Sequence, residues 1–246
     1  MTSGAIRFLS YAYPPNALGY CGPDDHGALS DYQRAGIVDP GLVGLIKEFE
    51  GAWPYLDLIG SNFGLDPLDD RVVGAYWLGG SLVAQIPTTT IAKSLRDRFA
   101  GRAGSSWDEI GEALGAGAKP DHAFHVFGVY PWVGLMRSGM TNEPLRILQS
   151  CRIRWGRVVD GSRDTVTVLS QPLEFDGERL SLGEPVQEQA RWSGPELAPG
   201  RWVTLHWDWV CERVTQSEVA TLAAGTTRSI ALANRSIAKP RTGVLA

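Results

Sequence analysis

Two short segments, residues 151–159 and 199–207, most constrain what this chain can fold into. Each combines a glycine with the apolar alternation of a strand that has one buried face. The residues between them carry further strand signals and the Asp176-Gly177 pair, which tolerates positive φ and closes hairpins. About five strands in so short a stretch fit a small barrel better than a two-sheet sandwich.

A helix should follow the barrel directly. Thr215 and Glu218 have the spacing of a capping box, in which a hydroxyl and a carboxylate each satisfy a free backbone amide. Val219, Leu222 and Ile230 then recur at helical spacing. The sequence therefore predicts a C-terminal helix that packs on the barrel through one apolar face.

In the first half of the chain the apolar residues recur mostly at helical spacing, in contrast to the strand alternation of the second half. Residues 1–40 show no sustained pattern and are predicted to be an initial segment laid on the next domain, whereas residues 41–117 are mostly helical in pattern. A run of Gly and Ala at residues 115–118 then breaks the helical pattern. The aromatic stretch 121–140 that follows is too apolar for an exposed linker, so it should lie buried between the two parts. We therefore predict an α+β protein. Residues 1–141 would form a mainly α-helical domain with an aromatic joining segment, and residues 142–246 a small OB-like β-barrel with a C-terminal helix.

Composition narrows the class of protein. The 246 residues are 43% apolar and carry a net charge of -4 without a basic run, which fits a globular chain and disfavours nucleic acid or an anionic membrane as partner. No segment resembles a signal peptide or approaches the roughly twenty apolar residues of a membrane span. Three widely spaced cysteines do not form a disulfide framework, so the sequence predicts a cytoplasmic protein.

One motif links the predicted barrel to a known family. Cys151 and Gly156 stand five residues apart where the barrel should begin, and Gly200, Val203 and His206 fall in register in a later strand. This order, followed by a helix rich in small residues, resembles the HypC/HupF-type chaperones of nickel-iron hydrogenase maturation over about residues 151–233. The whole chain also resembles an uncharacterised actinobacterial family found beside uptake hydrogenases. In the chaperones the cysteine follows the initiator methionine, whereas Cys151 is internal.

The resemblance implies an accessory protein, not an enzyme. Such a protein would dock on a HypD-like maturation protein or on the immature hydrogenase large subunit. Cys151 and His206 would then hold the iron unit Fe(CN)2CO in transit, because thiolate and imidazole suit a soft or borderline metal centre. We expect both at the barrel rim, with an accessible and partly ionised thiol. If the strand continues regularly, Asp208 shares the face of His206 and orients its imidazole.

A second set of candidate ligands lies outside the barrel: Cys21, His26, His122 and His125. If their segments meet, they form a Cys-His set of tetrahedral type, although the spacings fit no established finger. Cys21 with a histidine could instead be a nucleophile and its base. The alternative function is therefore a metal-dependent or thiol enzyme, while the more common role of histidines in so aromatic a stretch is packing. An oligonucleotide-binding barrel is disfavoured by the acidic balance.

Overall fold

The computed structural model describes residues 3–99, 107–162 and 164–239. The helices that precede the barrel are α1 Gly4–Ala17, α2 His26–Ala35, α3 Pro40–Lys47, α4 Trp53–Phe63, α5 Asp70–Leu78, α6 Ser81–Gln85, α7 Thr88–Phe99, α8 Trp107–Gly115, α9 His122–Phe124, α10 Trp132–Arg137 and α11 Asn142–Cys151. A π-helical turn, His125–Val129, continues α9. The strands are β1 Arg154–Gly161, β2 Thr165–Ser170, β3 Leu173–Phe175, β4 Leu180–Leu182, β5 Val186–Arg191, β6 Trp202–His206 and β7 Trp209–Arg213, followed by α12 Gln216–Ile237.

Five of these strands close into a barrel in the order β1-β2-β5-β7-β6. β5 and β7 pair in parallel and the other neighbours are antiparallel, which is the five-stranded Greek-key arrangement of an OB-type barrel. The strands β3 and β4 form a separate hairpin inserted between β2 and β5. The predicted α+β class, with a helical first half, a small barrel and a C-terminal helix, is confirmed.

Gly156 of the family-like motif has a steric role in the barrel. A Cβ at this position would lie 2.4 Å from Cγ1 of Val168 and 2.7 Å from the carbonyl oxygen of Leu169. Both atoms belong to β2, which pairs with β1 along this stretch. The close approach of β1 and β2 therefore requires glycine here.

The prediction that Cys151 opens the first strand is wrong. Cys151 is the last residue of α11, whose buried face includes Pro144, Ile147 and Leu148. The helix ends where Arg152 becomes extended, with φ -65° and ψ 141°, and β1 begins only at Arg154. Burial of the apolar face of α11 stabilises its last turn as helix, and this outweighs the strand preference of the apolar residues that follow.

The prediction of a regular strand through Asp208 is also wrong. β6 ends at His206, which pairs with Trp209 of β7 across a two-residue turn. Trp207 in that turn has φ 53°, an unfavourable value for a residue with a side chain, and its backbone amide donates to the carbonyl of Ser150 over 2.9 Å. Because the chain reverses here, Asp208 is exposed in the turn and cannot orient the imidazole of His206.

Residues 1–40 are not a patternless initial segment. α1 begins after Ser3, whose side chain accepts from the amide of Ile6, and α2 begins after Asp25, which caps it in the same way. Phe8 and Tyr11 of α1 are fully buried. The two prolines in the last turn and the near-continuous apolar sequence of α1 hid its helical period. α1 is thus a central helix, packed on α5 and on the barrel strands β6 and β7.

Aromatic contacts join the helical part to the barrel. Tyr13 of α1 lies edge-on to Trp209, with ring centroids 5.5 Å apart, and Tyr20 lies against Trp207 at 4.1 Å. Much of the joining segment is buried, since Phe124 and Phe127 are 1% and 3% exposed and Phe127 packs in one cluster with residues of the β3-β4 hairpin and α12, whereas Met140 is exposed. The domain boundary between residues 141 and 142, where α11 begins, stays a prediction.

The capping box of α12 is present as the sequence predicts. The Thr215 hydroxyl accepts from the amide of Glu218 over 3.2 Å, and the Glu218 carboxylate accepts from the amide of Thr215 over 2.8 Å. We expect Thr215→Ala to lower the free energy of unfolding by about 1 kcal/mol, measured by urea denaturation. Thr227→Ala, the same change at an exposed position inside α12, is the control and should not destabilise. Equal stability of the two variants would contradict this role of the cap.

Candidate functional site

A small cavity of about 40 Å³, lined mostly by buried residues, lies where the helical part meets the barrel. Such a volume holds one or two groups of the size of water. Its polar and aromatic walls come from segments far apart in the chain, and they include Cys21, Tyr76, Trp77, His122, His125, Tyr130 and His206. The cavity therefore brings together candidate residues from both sets that the sequence singled out.

His206 presents a bare nitrogen to this cavity. Its Nδ1 lies 2.6 Å from the backbone carbonyl of Tyr11 in α1. A carbonyl only accepts, so Nδ1 carries the proton and Nε2 keeps a lone pair. His206 is 2% exposed, and its Nε2 has no hydrogen-bond partner among the described residues. The Nε1 proton of Trp77, on the same cavity wall, likewise has no acceptor in that part of the chain. These two side chains thus offer an acceptor and a donor to a small polar group in the cavity.

His122 has the opposite tautomer. Its Nε2 donates to the backbone carbonyl of Cys151 over 2.8 Å, and its Nδ1 lies 3.2 Å from the hydroxyl of Tyr76, which can donate to it. The ring stands nearly perpendicular to that of His206, with centroids 5.2 Å apart. His122 therefore connects the end of α11 to the cavity through one hydrogen bond.

His125 fills the far side of the cavity. Its Nδ1 lies 3.1 Å from the Tyr55 hydroxyl, and its ring centroid is 4.3 Å from that of Tyr130. A Cβ at Gly51 would lie 2.9 Å from Nε2 of His125 and 3.2 Å from the hydroxyl of Tyr130. Glycine at position 51 is therefore needed to accommodate the two rings.

Burial keeps every titratable group of the cavity neutral. It lowers the pKa of His122 to about 4 and that of His125 to about 3, and it holds the pKa of His206 well below its usual range. The same loss of solvation raises the pKa of the Cys21 thiol to about 12 and that of Tyr76 well above its usual value. At neutral pH the site is an uncharged set of lone pairs and hydrogen-bond donors.

The structure brings together three of the four alternative ligands. Cys21, His122 and His125 line the cavity, whereas His26 does not: its Nδ1 lies 2.9 Å from Oδ1 of Asn16. Among the residues that the structure describes, no three His, Cys, Asp or Glu side chains are arranged to hold a metal ion. The metal role of the set stays a prediction, and His206, not His26, lies beside the other three side chains.

Cys151 lies directly behind His122 and outside the cavity lining. Burial raises the pKa of its thiol to about 12, and the neighbouring Trp207 opposes this shift only in part. Cys151 keeps an intermediate exposure, so the expected accessibility of its thiol stays a prediction, whereas the raised pKa disfavours its partial ionisation at neutral pH. Cys151 is partly buried by packing against a cluster that includes Phe127 and Leu148 of the helical part and Leu173 of the β3-β4 hairpin, which the barrel motif alone could not indicate.

Arg154 fixes the end of α11 against the turn that follows His206. The guanidinium is 4% exposed and donates to the carbonyls of Gln149, over 3.1 Å, and Trp207, over 2.6 Å. It also pairs with Glu188 of β5 at 2.9 Å. Cys151 and His206 are thus held on rigid, adjacent pieces of backbone.

The sequence reasoning missed the tyrosines of the site. Tyr76 was expected only as an apolar helix position, and Tyr11 fell in the segment that lacked a pattern. In the structure the Tyr76 hydroxyl faces His122, and the Tyr11 carbonyl sets the tautomer of His206. A signal was available for Tyr76, because a buried tyrosine needs a partner for its hydroxyl.

Comparison with known proteins gives one match. A family of unknown function (DUF6390) matches residues 1–240, nearly the whole chain. No curated protein and no solved structure matches the chain. Within the described ranges, none of the helices has the length and apolar character needed to cross a membrane.

Proposed function

Because the chain belongs to the DUF6390 family, whose function is unknown, we propose a function from its architecture: an accessory docking protein in nickel-iron hydrogenase maturation. One observation carries the proposal. The barrel has the OB-type strand order and a C-terminal helix, and the motif residues Cys151 and His206 lie at neighbouring points of one barrel end. The partner would be a HypD-like maturation protein or the immature large subunit, in the cytoplasm.

The neighbourhood of the two motif residues supports the proposal. β1 pairs with β6 so that Arg154 faces Leu205, and the amide of Trp207 donates to Ser150. The residue before Cys151 is therefore hydrogen-bonded to the residue after His206. Arg154, three residues after Cys151, pairs with the residue before His206. A barrel that held the two residues at opposite ends would not support a shared cargo.

Transient carriage of Fe(CN)2CO on Cys151 and His206 is the finer part of the proposal. His206 already presents an unprotonated Nε2, which is the form that binds metal. The Cys151 thiol has to lose its proton when iron binds, because thiolate is the ligand. The contacts of Tyr20 with Trp207 and of Tyr13 with Trp209 would have to separate to admit the iron unit. The helical part then acts as a cover over the barrel end, opened by the docking partner.

The geometry gives less support to the alternative enzyme built on Cys21, His26, His122 and His125. A nucleophilic cysteine needs a lowered pKa, whereas burial raises that of Cys21 to about 12. His26, bonded to Asn16, is not in a position to act with the other three.

The test uses cells that make a nickel-iron hydrogenase and lack this protein. We expect the wild-type chain to restore hydrogenase activity and to co-purify with the large subunit or a HypD-like protein. Cys151→Ser should co-purify equally, because the docking surfaces are intact, but should retain no iron and restore no activity. Cys211→Ser, a matched change at a buried cysteine outside the motif, is the control and should restore activity.

The two parts of the proposal fail separately. Wild-type activity with Cys151→Ser would overturn iron carriage and leave the docking role. Absence of both partners from the wild-type purification would overturn the docking role itself.

A further inference from the structure

A basic cleft of about 690 Å³ lies between the C-terminal end of α12, the β3-β4 hairpin and α10. Four cationic side chains line it against the single carboxylate of Glu178: Arg137, Arg179, Arg235 and Lys239. The chain as a whole has a net charge of -4, so this concentration of positive charge is local. A cleft lined by one sign of charge focuses its field on the ligand that enters.

Two of these cations are available to a ligand. Arg179 and Arg235 are both exposed, and neither forms a salt bridge at contact distance in the described ranges 3–99, 107–162 and 164–239. Besides the backbone amide of Glu178, however, the charge of Arg179 helps to lower the pKa of the nearby Asp176. Lys239, by contrast, pairs with Glu112 at 2.5 Å. The helix dipole accounts for cations in the last turn of α12, but it does not account for Arg179, which comes from the hairpin on the opposite wall.

The two walls are fixed relative to each other. The side-chain amide of Asn234 in α12 bonds both backbone groups of Leu180 in β4: Oδ1 accepts from its amide at 2.7 Å, and Nδ2 donates to its carbonyl at 2.9 Å. This double hydrogen bond clamps the hairpin onto the helix. The cleft is therefore preformed, which lowers the entropic cost of binding.

The floor of the cleft is apolar and includes Met136, Phe175 and Ile237. A small polyanion would contact the cations and leave this floor without a partner. A long nucleic acid would meet the acidic remainder of the surface. The chain's own residues 240–246 contain an arginine and no acidic side chain, so charge does not favour them either.

We propose that this cleft binds an acidic segment of another protein, in which carboxylates alternate with apolar side chains. The carboxylates pair with Arg179 and Arg235, and the apolar side chains contact Phe175 and Ile237. Any client protein could supply such a segment, so the cleft does not depend on the hydrogenase role.

The experiment is a fluorescence anisotropy titration of the full chain with a labelled peptide of alternating glutamate and leucine. We expect saturable binding that weakens with salt, because the ion pairs are exposed to solvent. Arg179→Glu and Arg235→Glu should each weaken binding roughly tenfold, since each places a like charge against the peptide. Arg201→Glu, the same reversal at an exposed arginine outside the cleft, is the control and should leave the affinity unchanged.

Three outcomes would overturn the proposal. A peptide of glutamine and leucine that binds as tightly would exclude a role for charge. Equal weakening by all three reversals would indicate a diffuse electrostatic effect. Displacement of the peptide by citrate or inorganic phosphate at the same affinity would show a site for small polyanions instead.

Discussion

The free energy of unfolding should fall by about 4 kcal/mol between pH 6.5 and pH 5, because three buried histidines stay neutral in the folded state and one buried carboxyl, that of Asp121, offsets part of their effect. Their usual pKa is 6.5, and burial lowers it to about 4 in His122, to about 3 in His125 and well below 6.5 in His206. In the unfolded chain each takes up a proton near pH 6.5, whereas in the folded protein it cannot. Acid therefore favours unfolding. The free energy of unfolding continues to fall until the pH reaches the pKa values of these histidines in the folded protein.

Asp121 works in the opposite direction. Burial raises the pKa of its carboxyl from 3.8 to about 6, with Arg228 opposing the shift. Below pH 6 the folded state gains this proton while the unfolded chain does not, so acid relieves a penalty here. The proton uptake of Asp121 offsets the effect of about one of the three histidines. The free energy of unfolding therefore falls by about 3 kcal/mol per pH unit around pH 5.

Urea denaturation at several pH values measures this slope. His125→Gln should reduce the loss between pH 6.5 and pH 5 by about 2 kcal/mol, because one titrating group is gone. Asp121→Asn keeps the cap on α9 but removes the offsetting carboxyl, so it should make the loss larger by about 1 kcal/mol. The opposite signs of the two variants separate histidine titration from general acid sensitivity. Equal stability of the wild type at pH 6.5 and pH 5 would contradict the neutral, buried cluster.

The fold was predictable where its signals are local. The capping box of Thr215, the hairpin at Gly177 and the alternation in β2 each lie within a few residues, and all are present in the structure. The candidate site was predictable only in part, because its contacts join distant segments. The carbonyl that orients His206 belongs to Tyr11, 195 residues earlier, and Tyr76 faces His122 across 46 residues.

Cys151 shows the same limit. The order of motif residues correctly indicated that it lies beside the strand of His206, because order and spacing fix the barrel topology. Its environment depends on α11 and on Tyr20, which rests on Trp207 beside it. A motif confined to the barrel carries no information on which residues of a separate helical part cover the end of the barrel. The thiol was therefore expected to be accessible, and the structure leaves it only partly exposed.

The shielding leads to the last prediction, on thiol reactivity. Burial raises the pKa of Cys21 and Cys151 to about 12, and that of Cys211 to well above its usual range. Only the thiolate reacts with alkylating agents, and at pH 8 a thiol of such pKa is ionised about a thousandfold less than a free cysteine. We expect iodoacetamide to modify all three about a thousandfold more slowly in the native protein than in urea, as followed by mass spectrometry.

Two controls make the result specific. Ser61→Cys places a thiol on the exposed surface of α4, and it should react at the rate of a free cysteine in the native protein. Addition of a docking partner that lifts the helical part from the barrel should accelerate modification of Cys151, and also that of Cys211, because the Cys211 side chain packs against the helical part. Rapid modification of Cys151 in the free native protein would instead show an ionised thiol at the barrel rim, as in the chaperones that the motif resembles. In that case iron could bind without any opening of the helical part.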